Sequence, residues 1–408
     1  MEHTMPETNG RTRDPFHDAY LRLTLEIDKV VEGYVDAYLG PPELGAEVAG
    51  LPPKSPDALL DDLARVREMA PDDDPDRAAC LGAVFRSMDC LLRMQRGEEF
   101  DYPDEVTRLF DVRVERVDES VFEAMHNALD TALPPGGSLA ERLHALRETY
   151  EITDGDRVLE LLELAREVTQ RRTRAIVDLV EGEGIEIALT QGQLWSAYNW
   201  YQGNGRSLIE VNTDIPVSVL DMLDTLAHEA YPGHHTELQL KEQRLYRGLG
   251  YPESACALLL SPAAAISEGI AETAREIIFP GREAVDWTVD VLLPVGGLPP
   301  AVPADLYVVE QAGQLSRRVR GNAALLYHGG QIDEAGAVDY LRTYALATEA
   351  RARQAFSFIA NPLYRAYVFT YTAGYDLIAG AAGEGDKLPV FKRLLLNEVS
   401  PSSLAPAE

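Results

Sequence analysis

The stretch "AHEAYPGHHTELQ", Ala227 to Gln239, limits this chain more than any other: it sets a Pro-Gly pair inside an otherwise helical run. Before it, "VSVLDMLDTLAHEA" (217–230) carries Val219, Leu220, Met222, Leu223, Leu226, Ala227 and Ala230 as an apolar stripe. Asp221, Asp224, Thr225 and His228 share another face. Pro232 lacks the N–H that would reach the carbonyl of residue 228, and its ring clashes with that carbonyl. The helix must therefore kink or break between His228 and Pro232, and Gly233 permits a non-helical backbone there.

The break decides which side chains can meet. In an unbroken helix His234 would sit about 120° around from His228, and His235 about 10.5 Å up the axis. A broken turn returns His234 over His228, so these two are expected to share an ion, with His235 as the alternative. Downstream, "AAAISEGIAETAREIIFP" (263–280) predicts a small-residue helix with Glu268, Glu272 and Arg275 on one face. Ala264, Ala265, Gly269 and Ala271 let it approach a neighbouring helix closely. Glu268 is the expected third ligand, and Glu272 or Asp224 is expected to orient a ligand histidine.

Two histidines, a carboxylate and water form a common zinc set in hydrolases, so Zn2+ is the expected cofactor. Glu229 is then placed to take a proton from water and pass it to the leaving amine. An oxyanion stabiliser is also needed; Tyr371 in "YRAYVFTYTAGYDLI" is the first candidate, with Tyr367 and Tyr375 on the same face. Arg365 is a candidate clamp for a substrate carboxylate, and "LIEVN" (208–212) a candidate edge for an extended peptide. Asn212 caps that strand or touches substrate; Tyr198 and Trp200 are candidate pocket residues. His3, His17, His126 and His144 read as structural, as does His328, with a place in a cleft wall as its alternative.

Composition narrows the partners. The 408 residues carry a formal charge of −30, which argues against nucleic acid and anionic membranes. No run approaches the ~18 apolar residues of a membrane span. Residues 1–14 are polar, lack a signal-peptide core and are expected to be loose, so the expected location is the cytoplasm. Cysteines at 80, 90 and 256, with no C-x-x-C, argue against a disulfide framework or a thiolate zinc site. Neither a G-x-S-x-G elbow nor a phosphate-binding loop occurs.

Helices are expected from Phe16 to Tyr38 and at about 56–70, 76–98, 104–112, 118–130, 138–150 and 156–181. The texture changes at Gly182: 184–190 and 206–216 read as strands of a small β-ribbon, with an aromatic stretch and a turn at Asn204-Gly205 between them. A helix-rich part continues to about Lys392, broken at 294–306, and the tail from Ser400 is expected to be loose. The fold class is mainly α: a large helical architecture with the ribbon beside the active-site helix. It divides into a helical region, 1–181, and a catalytic region, 182–408, intertwined about a cleft.

The segment "HEAYPGHHTELQL" resembles the H-E-x-x-P-G-H-H element of the family catalogued as domain of unknown function 885. Glu268-Gly269-Ile270-Ala271-Glu272 is similar to that family's E-G-x-A element, "IEVNTDIP" to its strand before the His-Glu helix, and Thr370-Tyr371-Thr372-Ala373-Gly374 to its late Tyr-x-x-Gly. The resemblance implies a zincin-like metallopeptidase architecture related to thimet oligopeptidase and the Taq-type carboxypeptidase. It implies His228, His234 and Glu268 as ligands, Glu229 as base and Tyr371 lining the site. Ile270, where the family often has a bulky aromatic, and Glu237, where it often has Gln, depart from the pattern and bear on substrate choice.

Together these readings predict a zinc-dependent hydrolase of gluzincin type, cleaving peptide bonds. The alternatives are a zinc amidase or esterase acting on a small non-peptide substrate, or a metal-binding scaffold without catalysis. Glu229 argues against the last, since a purely structural site needs no base.

Overall fold

The computed structural model describes residues 15–193, 195–214 and 216–405, so the leader at 1–14 lies outside the described residues. Helices make up most of the chain before the sheet: α1 Pro15–Asp28, α2 Pro42–Ala49, α3 Pro56–Glu68, α4 Pro75–Gln95, α5 Tyr102–Phe110, α6 Glu119–Ala132, α7 Leu139–Thr149 and α8 Gly155–Thr173. Their starts follow from local chemistry. Ser55 and Asp74 cap helices that begin with proline. Ser138 and Glu141 form a reciprocal capping box on α7.

The strands are β1 Val35–Tyr38, β2 Glu151–Ile152, β3 Gly184–Thr190, β4 Ala197–Gly203, β5 Arg206–Asn212, β6 Val217–Ser218 and β7 Cys256–Leu258. Those before residue 181 correct the all-helical expectation. The helix expected to reach Tyr38 stops at Asp28, whose carboxylate accepts a hydrogen bond from the Val35 N–H at 2.9 Å. Gly33 turns with φ +83°, and β1 pairs antiparallel with β7. The helix expected to reach Glu181 ends at Thr173. Beyond it the chain is held by tertiary contacts, such as Gln239 Oε1 accepting from the Val180 N–H at 3.0 Å.

The expected two-stranded ribbon is a three-stranded sheet of order β3-β5-β4, with β3 parallel and β4 antiparallel to β5. Asn204 and Gly205, both at positive φ, make the β4–β5 turn. β5 is the middle strand and both its edges are paired. This overturns the expectation that "LIEVN" offers an edge to a peptide.

The remaining helices are α9 Met222–Glu229, α10 His234–Lys241, α11 Pro262–Ile278, α12 Glu283–Trp287, α13 Leu293–Val295, α14 Pro303–His328, α15 Glu334–Tyr344, α16 Glu349–Ala360, α17 Thr370–Ala382, α18 Leu388–Leu396 and α19 Pro401–Leu404. The tail expected to be loose instead buries Pro401 and Leu404.

One core gathers Phe16, Tyr20, Phe85, Met88 and Phe110 with Val319, Ala323 and Phe369, so residues far apart in the chain share it. A second joins Leu161 and Leu162 of α8, Ile209 and Val211 of β5, and Leu223 and Leu226 of α9. A third joins Ala227 of α9, Ile266, Ile270 and Ala274 of α11, and Phe391 and Leu394 of α18. α9 is thus gripped from two sides. Each fully buried leucine contributes about 1.5–3 kcal/mol, which is enough to fix the helix axis beneath its polar residues.

Candidate metal centre

α9 ends at Glu229, and the next helix begins at His234. Between them the Gly233 N–H reaches back six residues to the Ala227 carbonyl at 2.9 Å, and the Tyr231–Pro232 peptide is cis. A Cβ on Gly233 would stand 1.9 Å from the His228 carbonyl oxygen, so only glycine fits this approach. Asn199 of β4 donates to the Glu229 carbonyl at 2.6 Å, satisfying an acceptor that the break leaves bare. The wrapped turn brings the His228 and His234 rings to a centroid distance of 4.8 Å, edge to face.

The carboxylate arrives on α11. Gly269 of α11 crosses Gly374 of α17 with the two backbones in contact. That crossing places Glu268, next to Gly269, under the histidines and beside the tyrosines one and two turns before Gly374. One donor atom from each of His228, His234 and Glu268 lies within 4.8 Å of the others. Glu268 Oε2 is 3.5 Å from His228 Nε2, and its Oε1 is 3.8 Å from His234 Nε2. Donors sharing a tetrahedral zinc at ~2.0–2.2 Å stand roughly 3.2–3.6 Å apart, close to the two histidine–Glu268 separations.

The hydrogen bonds around the histidines leave the right atoms free. Ser267 Oγ donates to Glu237 Oε2 at 2.5 Å, because a carboxylate can only accept. The same Oγ, 3.0 Å from His234 Nδ1, therefore accepts the Nδ1–H, leaving the Nε2 lone pair facing Glu268. Lys241 Nζ donates to Glu237 Oε1 at 2.8 Å and anchors the chain of contacts. His228 Nδ1 faces Glu272 Oε1 at 3.7 Å, so Glu272 is the acidic neighbour of that ring. Asp224 touches neither histidine. It holds Arg275 at 3.1 Å and Arg317 at 3.4 Å, and Arg317 in turn pairs with Glu272.

Electrostatics supply the test of fit. Burial lowers the pKa of both His228 and His234, so both rings are neutral and can offer a nitrogen lone pair. Burial, then Asp36 and Glu272, raises Glu229 to about 8, and burial raises Glu272 to about 7 and Glu268 well above the usual range. Glu268 Oε2 is buried with no hydrogen-bond partner. Two neutral imidazoles, crowded carboxyls and an orphaned carboxylate oxygen are compatible with a bound cation.

His235, the alternative ligand, points elsewhere. It is fully buried, with Nδ1 2.8 Å from Ser207 Oγ and Nε2 3.2 Å from Glu183 Oε2. The carboxylate can only accept, so Nε2 carries the proton and Ser207 donates to Nδ1. His235 thus ties α10 to the sheet rather than to the ligand set.

Tyr371 stands beside the centre: Glu268, Glu272 and Glu229 all act on its hydroxyl. Tyr367 donates to Glu268 Oε1 at 2.6 Å, whereas Tyr375 lies off the site against Glu276. Arg365 is no substrate clamp, since Glu105 takes its guanidinium at 2.8 Å. Asn212 caps the loop before β4 through the carbonyls of Gln193 and Trp195. Tyr198 bonds Asp36, and Trp200 donates to Glu210 while 42% exposed. His126, His144 and His328 each bond a main-chain carbonyl.

Three contributors carried no signal in the sequence: Ser267, Arg317 and Glu183. Ser267 sat among small residues that read as packing, and the other two lie far along the chain from what they hold.

No protein-family model matches the chain, and no curated protein matches its sequence. Among solved structures it is similar to a candidate lipoprotein from Colwellia psychrerythraea, with TM-score 0.55 and 15% identity over 95% of this chain and 70% of that one. It is similar to a candidate lipoprotein of unknown function from Shewanella oneidensis, with TM-score 0.51 and 13% identity over 95% of this chain and 72% of that one. A carboxypeptidase from Pyrococcus furiosus aligns at TM-score 0.36 and 15% identity over 97% of this chain and 91% of that one. The first two likenesses show the fold alone.

Proposed function

We propose that the protein is a zinc-dependent peptidase, with His228, His234 and Glu268 as ligands and Glu229 as general base. The carrying observation is the approach of three donor atoms from separate helices to within 4.8 Å, with Glu229 Oε1 4.0 Å from the His228 Nε2 that faces Glu268. The resemblance of the His-Glu-x-x-Pro-Gly-His-His and Glu-Gly-x-Ala segments supports placing the chain alongside domain of unknown function 885.

Zinc in this donor set supplies Lewis acidity, polarising a carbonyl oxygen and bringing water within reach of deprotonation near neutral pH. The Glu229 carboxylate takes a proton from the attacking water and returns it to the amine nitrogen as the C–N bond breaks. The Tyr371 hydroxyl, with no hydrogen-bond partner among the described residues, donates to the carbonyl oxygen as it gains charge. Ser267 holds the His234 ring and Tyr367 holds Glu268, while Glu272 stands 3.7 Å from His228 Nδ1.

The test is elemental analysis of the purified protein together with turnover of a peptide panel before and after chelation. Zinc at stoichiometric level with chelator-sensitive cleavage is the expected result. Protein that binds no divalent metal removes the proposal; cleavage confined to acyl-amides or esters, with peptides untouched, assigns the centre to a different substrate class.

A further inference from the structure

The hydrogen bonds behind His234 run in one direction. His234 Nδ1 is 3.0 Å from Ser267 Oγ, Ser267 Oγ is 2.5 Å from Glu237 Oε2, and Lys241 Nζ is 2.8 Å from Glu237 Oε1. Beyond the lysine, Glu398 Oε2 stands 3.9 Å from Nζ, and Ser254 Oγ donates to Glu398 Oε1 at 2.6 Å. Glu237 is 2% exposed and Lys241 8%, so bulk water does not compete for these bonds. Burial alone would lower the Lys241 pKa, but Glu237 and Glu398 raise it, so the amine stays an ammonium with donors only.

Both oxygens of Glu237 are thus taken, one by the serine and one by the lysine. A carboxylate can meet two donors; an amide in its place could not. The ammonium would claim the amide oxygen, and the amide NH2 would then face Ser267 Oγ. The serine hydroxyl, accepting from that side, would donate to His234 Nδ1. The imidazole proton would then sit on Nε2, the atom that faces Glu268 at 3.8 Å and needs a lone pair to bind a cation. Exchanging one oxygen for nitrogen at residue 237 would therefore disable the ligand without moving it. The outcome turns on the pair: with no cation at 241, an amide at 237 is free to turn its oxygen to the serine.

We propose that Glu237 is a positioning residue of the centre: through Ser267 it sets the tautomer in which His234 can bind a metal, and Lys241 makes a carboxylate obligatory for that task. This rests on the reading of His234 as a zinc ligand, and is independent of what the centre cuts. Glu237 itself bonds the serine and the lysine, and reaches the ring only through the serine.

The experiment compares the full chain as wild type, Glu237→Gln and the double variant Glu237→Gln/Lys241→Met. Long-range proton–nitrogen NMR of the metal-free proteins reads the tautomer, with the His234 signals assigned by their loss in His234→Asn. Competition against a zinc chelator of known strength reads affinity. The wild type is expected to carry the proton on Nδ1, and Glu237→Gln on Nε2 with zinc affinity lowered ~10–100-fold. The double variant should return the proton to Nδ1 and recover most of the affinity, which neither a damaged fold nor a lost negative charge would do. Ser267→Ala cuts the chain without touching the charged pair and should abolish the Nδ1 preference, so the inference stays testable even where Glu237→Gln does not fold. A proton on Nε2 in the wild type, one that persists on Nδ1 in Glu237→Gln or Ser267→Ala, or a double variant as weak as the single one, overturns the inference. Peptide turnover is followed separately. The expected tautomers and affinities without any turnover reject the peptidase reading and leave the role of Glu237 standing.

Discussion

Gly374 of α17 lies so close to α11 that a Cβ added to it would stand 2.3 Å from the Ala265 carbonyl oxygen and 2.7 Å from the Gly269 Cα. Backbone meets backbone there, and neither side can yield by moving a side chain. Gly374→Ala and Gly269→Ala should each destabilise the protein by about 1–3 kcal/mol. They should also weaken metal binding by displacing Glu268 from the histidines. Urea unfolding and zinc titration on the same preparations check both effects. A Gly374→Ala protein with unchanged unfolding midpoint would show that the helices do not touch there.

The two adjacent histidines should behave differently. His234→Ala removes a donor and should abolish stoichiometric zinc. His235→Ala should keep the metal but lose about 2–4 kcal/mol of stability, because it leaves the buried Glu183 carboxylate and Ser207 short of a partner. Metal content and thermal melting of the pair decide the matter. Equal zinc loss in both variants contradicts the assignment.

Glu229→Gln keeps the shape of the side chain and removes the base. Zinc content should be retained while turnover falls roughly 10²–10⁴-fold. Steady-state kinetics beside elemental analysis give the answer, and undiminished turnover takes Glu229 out of the mechanism.

Acid should unfold the protein partly through Glu183. Burial alone would raise its pKa, but hydrogen bonds from His235, Tyr231 and Arg174 overcome burial and bring it down to about 2, against 4.5 in an unfolded chain. A depressed carboxyl pKa stabilises the fold fully above pH 4.5, and that stability is lost as pH falls from 4.5 through about 2. The contribution is about 3 kcal/mol, and the side chain is only 1% exposed, so solvent screens it little. The stability gap between wild type and Glu183→Gln should therefore narrow across that window. A gap that does not change with pH would disprove the assignment.

Removing the metal should lower the melting temperature, since an ion that binds only the folded chain stabilises it by mass action. The effect should disappear in His234→Ala. Melting curves with and without chelator on both proteins test this.

The centre was legible where the backbone itself is constrained. Pro232 and Gly233 act through missing atoms, so their consequence for His228 and His234 could be read locally. Glu268 was legible through the small residues beside it, which signal a close helix crossing. Sheet order was not, because nothing in "LIEVN" says that strands will pair on both of its sides. Neither was the end of the first helix, where Val30, Val31 and Tyr34 fit a helical stripe while Asp28 and Gly33 end it. Arg317 and Glu183 escaped for the same reason: a single charged residue carries no period that points to its distant partner.

The crossing at Gly269 and Gly374 also orders events during synthesis. More than a hundred codons separate the two glycines, and the ribosome emits the His-Glu segment well before the helix that seats its third donor. A nascent chain can fold parts of itself in pieces, but its candidate ion site waits for the segment around Gly374 to emerge from the tunnel. Chains that stop before Gly374 should therefore come off the ribosome empty of metal, however much helix they already contain.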